Sequence, residues 1–242
     1  MKAHLYRGIT VQESNADDVI ENIQAKGITG DEGFWSFVVP QVKEVRENIA
    51  SLFLKNDLNV DDVFKNSSCL GFCACGSENG ALYYAQKHNL TMERDTPLII
   101  EFEVEIDRIY VDGRDFLCTG FQFFDRVSKY HYTQQLEALT NLYGPYIKKY
   151  FEKSSESNEQ VYRVAVSNLA CFDRDIVKFH LNNSLTIYGR SNTKFQSAFF
   201  VQGPIESSAI KIVRRPSTAY SAPQPYISLN DFIEGKNLLT NS

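Results

Sequence analysis

Lys194–Ile205 reads KFQSAFFVQGPI, and the assignment of the whole chain turns on it. From Lys194 to Val201 the residues alternate. Gln196, Ala198 and Phe200 fall on one side, and Phe195, Ser197, Phe199 and Val201 on the other, which is the period of a β-strand. The run is rich in aromatics and stops at Gly203-Pro204, an ordinary strand boundary. Its unusual feature is Gln196-x-Ala198, an amide and a methyl two residues apart on one face, with no partner beside the amide.

On the C-terminal side, SSAIKIVRR predicts a further strand. PSTAYSAPQPYISLNDFIEG, rich in Pro and Ser, reads as an extended tail. A capping-box start at Ser228 and Asp231 then leads into Phe232, Ile233, Leu238 and Leu239. On the N-terminal side, the loop GRSNTKF follows LTIYGR and QVYRVAVSNL, both expected to be strands. Before the polar loop SSESNEQ, YTQQLEALTNLYGPYIKKYFEK predicts a helix broken at Gly144-Pro145. TPLIIEFEVEIDRIYVDG reads as a long strand turning near Asp107, and SSCLGFCACGS as a buried one. Helices are expected over NGALYYAQKHN, opening after Gly80, and over QVKEVRENIASLFLKND. A third covers NADDVIENIQAKGI, capped by Asn15 with Ile20, Ile23 and Ile28 inward, after a first strand at HLYRGIT. This order predicts an α+β fold, with one domain over 1–215 and a tail over 216–242, because no regular βαβ alternation is present.

The chain of 242 residues is 43% hydrophobic and 23% charged, with 17 Phe and 13 Tyr, enough to bury a core. The N-terminus carries no secretion-type apolar run and no stretch reaches the ~20 apolar residues of a membrane span, so a cytoplasmic, soluble protein is expected. A net charge of -5 gives no global basic field for nucleic acid. Past Arg190, however, Lys and Arg outnumber Asp and Glu, with Lys211, Arg214 and Arg215 clustered. Five cysteines at positions 69, 73, 75, 118 and 171 match no disulfide framework, and no Cys-x2-Cys knuckle accompanies His88, so reduced thiols and no metal are expected.

The usual phosphate-loop, dinucleotide, serine-hydrolase and zinc-protease signatures are absent. Three pieces remain in order. Tyr6-Arg7-Gly8 ends the first strand. There Arg7 can fork onto a diphosphate, and Gly8 admits a ligand close to the backbone. GFCACGSENGALYYA is a strand, turn and helix with Ala81, Tyr84 and Ala85 at helical spacing. The third piece is the Gln196-x-Ala198 strand behind its loop.

In that order the three pieces resemble the ADP-ribosyltransferase family. The resemblance runs from about Leu5 to Ile212 and is nearest to its nucleic-acid-modifying toxins, in particular those of anti-phage toxin–antitoxin–chaperone systems that modify mRNA. It implies an NAD cleft between mixed or antiparallel sheets, with Arg7 and Gly8 holding NAD and Cys73 and Tyr84 around the nicotinamide. It also implies that the loop bearing Arg190, Asn192, Lys194 and Phe195 meets the substrate. Gln196 at its position implies an amide or nucleobase target, RNA favoured over DNA, and the implied partners are an antitoxin and a chaperone. The family's catalytic glutamate falls on Ala198. A carboxylate there would stabilise the oxocarbenium-like transition state as nicotinamide leaves, and alanine has none. A replaced glutamate and a natural pseudoenzyme compete as explanations. Replacement fits the otherwise complete set better, and Glu206, past the turn, is a poor substitute. A protein-modifying transferase and a catalytically dead NAD-binding or interaction module are the alternatives.

Overall fold

In the computed structural model the described residues are 1–30, 32–33, 70–92, 94–114, 116–122, 131–189, 193–222 and 226–236. The helix expected over 41–57 lies outside them, as does Cys69.

Alternation in the first twelve residues makes β1 (Lys2–Gln12), with Ala3 and Leu5 turned into the core. After a 3-10 turn comes α1 (Ala16–Lys26). Asn15 stands at its cap position without a side-chain capping bond. Two short strands follow, β2 (Glu32–Gly33) and β3 (Leu70–Cys75). Next, α2 (Glu78–Tyr83) opens two residues before Gly80, because the Ser77 hydroxyl accepts from the Gly80 N–H and caps it there. It continues as a π-helical turn over Tyr84–His88. The long apolar run splits as expected near Asp107 into β4 (Asp95–Glu105) and β5 (Ile109–Val111).

A helical layer comes next: α3 (Leu117–Gln122), α4 (Tyr132–Tyr143), α5 (Ile147–Ser154), α6 (Gln160–Phe172) and α7 (Arg174–Leu181). The break between α4 and α5 falls on Gly144, whose φ of 82° suits glycine. The segment QVYRVAVSNL, expected as a strand, is α6. Tyr162, Val164, Ala165, Val166, Ala170 and Cys171 are all buried, and so are the polar Arg163, Ser167 and Asn168, so the helix has little solvent-facing side, and its valines mimic a strand's composition. Its one charged side chain, Arg163, is satisfied by Ser157 O (3.0 Å) and Asn158 Oδ1 (3.2 Å).

The remaining strands are β6 (Thr186–Tyr188), β7 (Lys194–Phe195), β8 (Ala198–Gln202), β9 (Ile210–Arg214) and β10 (Tyr226–Ser228), followed by α8 (Leu229–Glu234). Among the described residues the main sheet is antiparallel in the order β5-β8-β3-β1-β4-β9, with β2 on β3. A second sheet runs β10-β6-β7. The architecture is therefore α+β.

Two expectations are corrected. Lys194–Val201 is two strands in two sheets, because the chain crosses at Gln196-Ser197. There Asn183 Nδ2 donates to Gln196 O (2.5 Å), and Gly76 N–H donates to Ser197 O (3.1 Å). The tail beyond 215 also returns to the body: β10 pairs in parallel with β6, and Phe232 is 1% exposed, packed on Phe116.

No described helix is long and apolar enough to cross a membrane.

Asp173 ties the helical layer together. Its Oδ1 accepts from the Asp175 N–H (3.0 Å) at the start of α7, and its Oδ2 accepts from Lys149 (2.6 Å) and the Tyr150 hydroxyl (2.8 Å). Burial raises this carboxyl's pKa, but those donors together outweigh it and hold the value below the usual range. A depressed folded-state value means stability present above the unfolded value near ~3.9 and lost as pH falls through the folded one. Asp173→Ala should cost ~0.5–2 kcal/mol at neutral pH, with the gap to the parent closing in acid, as urea titrations at several pH values will show.

Candidate functional site

The site begins where two strands part. β1 pairs with β4 along its whole length but meets β3 only at Tyr6↔Cys75. One residue further on, Arg7 lies where the β1–β3 ladder has ended. Its Nη1 donates to the Cys73 carbonyl (2.9 Å) across the gap, and its guanidinium lies 4.9 Å from the Phe72 ring centre. The parted strands leave a cleft of about 260 Å³, lined by Arg7, Gly8, Cys73, Tyr84, Arg114 and Ala198, with Cys75, His88, Asn89 and Asp112 completing much of the wall. Four segments far apart in sequence thus meet here.

Gly8 is required for a reason the sequence does not show. A Cβ on it would sit 1.9 Å from the Ala81 carbonyl oxygen and 3.0 Å from the Ala85 nitrogen. What approaches the backbone so closely is α2, whose Ala81 and Ala85 are both fully buried. The small-residue face of that helix then directs Tyr84 into the cleft. The Tyr84 ring centre is 5.4 Å from that of His88 and 6.3 Å from that of Phe195.

Ala198 opens β8 opposite Cys75 and is 3% exposed; its carbonyl accepts from the Asp112 N–H (2.9 Å). Burial, followed by the Asp112 charge, pushes the Cys75 thiol well up, so it stays protonated. The sequence reading missed Asp112 and Arg114. They follow β5, form an ion pair (Nε–Oδ1 2.8 Å, Nη2–Oδ2 2.6 Å), and Arg114 also contacts Cys73 Sγ. VDG reads as the end of the long strand run, and no local signal places it beside residue 198.

The remaining predicted residues lie elsewhere. Gln196 does not line the cleft; its Nε2 donates to Ser184 O (3.2 Å). Phe195 is 2% exposed and faces the interior, so it offers no surface to an incoming base. Lys194 is half-exposed on the outside, and Arg190 and Asn192 lie outside the described residues. The basic cluster is neutralised: Lys211 pairs with Glu103 (3.0 Å), Arg214 with Glu78, and Arg215 with Asp17 (2.7 Å) and Glu13 (3.2 Å). No group of three or more His, Cys, Asp or Glu able to hold a metal ion occurs among the described residues.

The segment after β9 closes over α2 by two reciprocal clasps. Gln86 donates to Thr218 O (2.9 Å) and accepts from the Tyr220 N–H (2.7 Å). Asn79 does the same with Ser221 (2.7 and 3.2 Å). Comparison of the chain with protein-family profiles, curated proteins and solved structures gave no match.

Proposed function

We propose that this chain is built as an NAD-dependent ADP-ribosyltransferase of the toxin type acting on nucleic acid, RNA favoured, with Ala198 in the place of the catalytic glutamate. One observation carries the reading: Arg7, Gly8, Cys73, Tyr84 and Ala198, picked from three separate stretches of sequence, line one cleft. In this reading the Arg7 guanidinium takes the diphosphate and the Tyr84 ring packs on the nicotinamide. Position 198 faces the ribose carbon from which nicotinamide departs. An antitoxin and a chaperone would then restrain the active form.

A second reading is an NAD-binding module without turnover. It rests on Ala198 itself and on the Gln196 amide being bonded to Ser184 rather than presented to the cleft.

NAD binding measured by calorimetry tests both. Arg7→Lys keeps the charge but loses the two-pronged fork, and should weaken NAD at least ~10-fold. Equal affinity in Arg7→Ala and the parent would remove Arg7 from the site. Labelled NAD offered to Ala198→Glu with separate RNA, DNA and protein pools separates the two readings and identifies the acceptor.

A further inference from the structure

The second sheet has two distinct faces. Ile227, Ile187 and Phe195 pair across β10, β6 and β7 in one row, at 0%, 0% and 2% exposure, and seal the core. The pleat turns their neighbours outward. Ser228, Tyr188 and Lys194 form the next row, and Tyr226 lies diagonally beside Tyr188. Tyr188, Tyr226 and Lys194 are each half-exposed. The two tyrosine rings have centres 4.9 Å apart and are tilted by 40°, and Lys194 Nζ stands 4.3 Å from the Tyr188 ring centre. Among the described residues Lys194 has no carboxylate partner, and no acidic residue occupies this face, in a chain whose net charge is -5.

The face adjoins the cleft. Phe195, the inward neighbour of Lys194, has its ring 6.3 Å from that of Tyr84. Tyr220 spans the two regions, its ring 5.2 Å from Tyr83 and its hydroxyl 3.5 Å from Lys194 O. Burial, then the neighbouring Tyr188 and Tyr83, push the Tyr220 hydroxyl up to about 12, so it stays neutral in the cell.

We propose that the outer face formed by Tyr188, Tyr226 and Lys194 is a stacking platform for bases of single-stranded nucleic acid. The inference rests on the transferase reading for its biological purpose, but not for its test. Aromatic faces accept any base, and the Lys194 ammonium beside them, with no carboxylate partner among the described residues, draws the phosphate that follows. The platform supplies the base-stacking surface that Phe195, sealed in the core, cannot.

The test uses the full chain without NAD and a short single-stranded RNA carrying 2-aminopurine, titrated at low salt. Binding should quench the fluorophore. Tyr188→Leu and Tyr226→Leu should each weaken it roughly 5- to 150-fold, while Tyr188→Phe retains it. Lys194→Met should lower the slope of affinity against salt by about one phosphate contact. Leucine keeps an apolar side chain at each position, and circular dichroism confirms that each variant is folded. Equal affinity in a folded Tyr188→Leu overturns the proposal, as does equally tight binding of an RNA duplex. Absence of RNA and DNA binding also overturns it, leaving the face to a protein partner. NAD affinity, measured separately, reports on the cleft, so the two readings fail independently.

Discussion

Replacing Ala198 with glutamate is expected to raise NAD turnover by about 10²–10³-fold over the parent chain, read as nicotinamide release and as label transferred to RNA. The backbone at this position is fixed on both sides, by Cys75 of β3 and by the Asp112 N–H on the Ala198 carbonyl. A longer side chain therefore projects into the cleft rather than moving the strand. Arg7 and Arg114 line the same cleft and favour the ionised form of a new carboxylate. Asp112 does not supply that charge in the parent, because Arg114 holds both of its oxygens. Asp112→Asn in the Ala198→Glu background should therefore retain the gain. If Ala198→Glu folds, binds NAD and turns over no faster than the parent, the transferase reading is wrong, and the NAD-binding module takes its place.

The second large effect is on stability. Gly8→Ala is expected to cost about 3 kcal/mol, measured by chemical denaturation. The added methyl would meet the Ala81 carbonyl at 1.9 Å, and a main-chain atom of a buried helix cannot step aside as a flexible side chain can. To accommodate it α2 must lift from β1, carrying Tyr84 with it, so NAD affinity should fall in the same variant. A loss of NAD affinity with unchanged stability would mean that Gly8 serves the ligand alone and that the packing argument is wrong.

Where local pattern and tertiary environment agree, the sequence is a reliable guide. The runs HLYRGIT, SSCLGFCACGS and TPLIIEFEVEIDRIYVDG, expected as strands, hold β1, β3 and β4 with β5, and the turn near Asp107 and the break at Gly144-Pro145 fall where the sequence places them. The reading failed in α6, whose valines favour a strand and whose polar Arg163, Ser167 and Asn168 are buried with the rest, and at Gln196-Ser197, where strand pairing, and not side-chain alternation, decides where one sheet ends.

The candidate site divides in the same way. Arg7, Cys73, Tyr84 and Ala198, singled out by the family resemblance of three short ordered stretches, line one cleft. The Asp112–Arg114 pair was not legible in the sequence, since nothing in VDGR says which strand it will face. The reason for Gly8 is likewise tertiary: only the docking of α2 reveals what its missing side chain makes room for. Nor could composition show that Lys211, Arg214 and Arg215 are spent on carboxylates from distant elements while Lys194 lies over the Tyr188 ring. The sequence alone determined the α+β class and the elements whose patterning is local, among them β1, α1, β3 and β4, because those depend on neighbours along the chain. Which charges are paired, which rings are buried and where the strands part to leave a cleft depend on contacts between segments distant in sequence, and only the tertiary structure decided them.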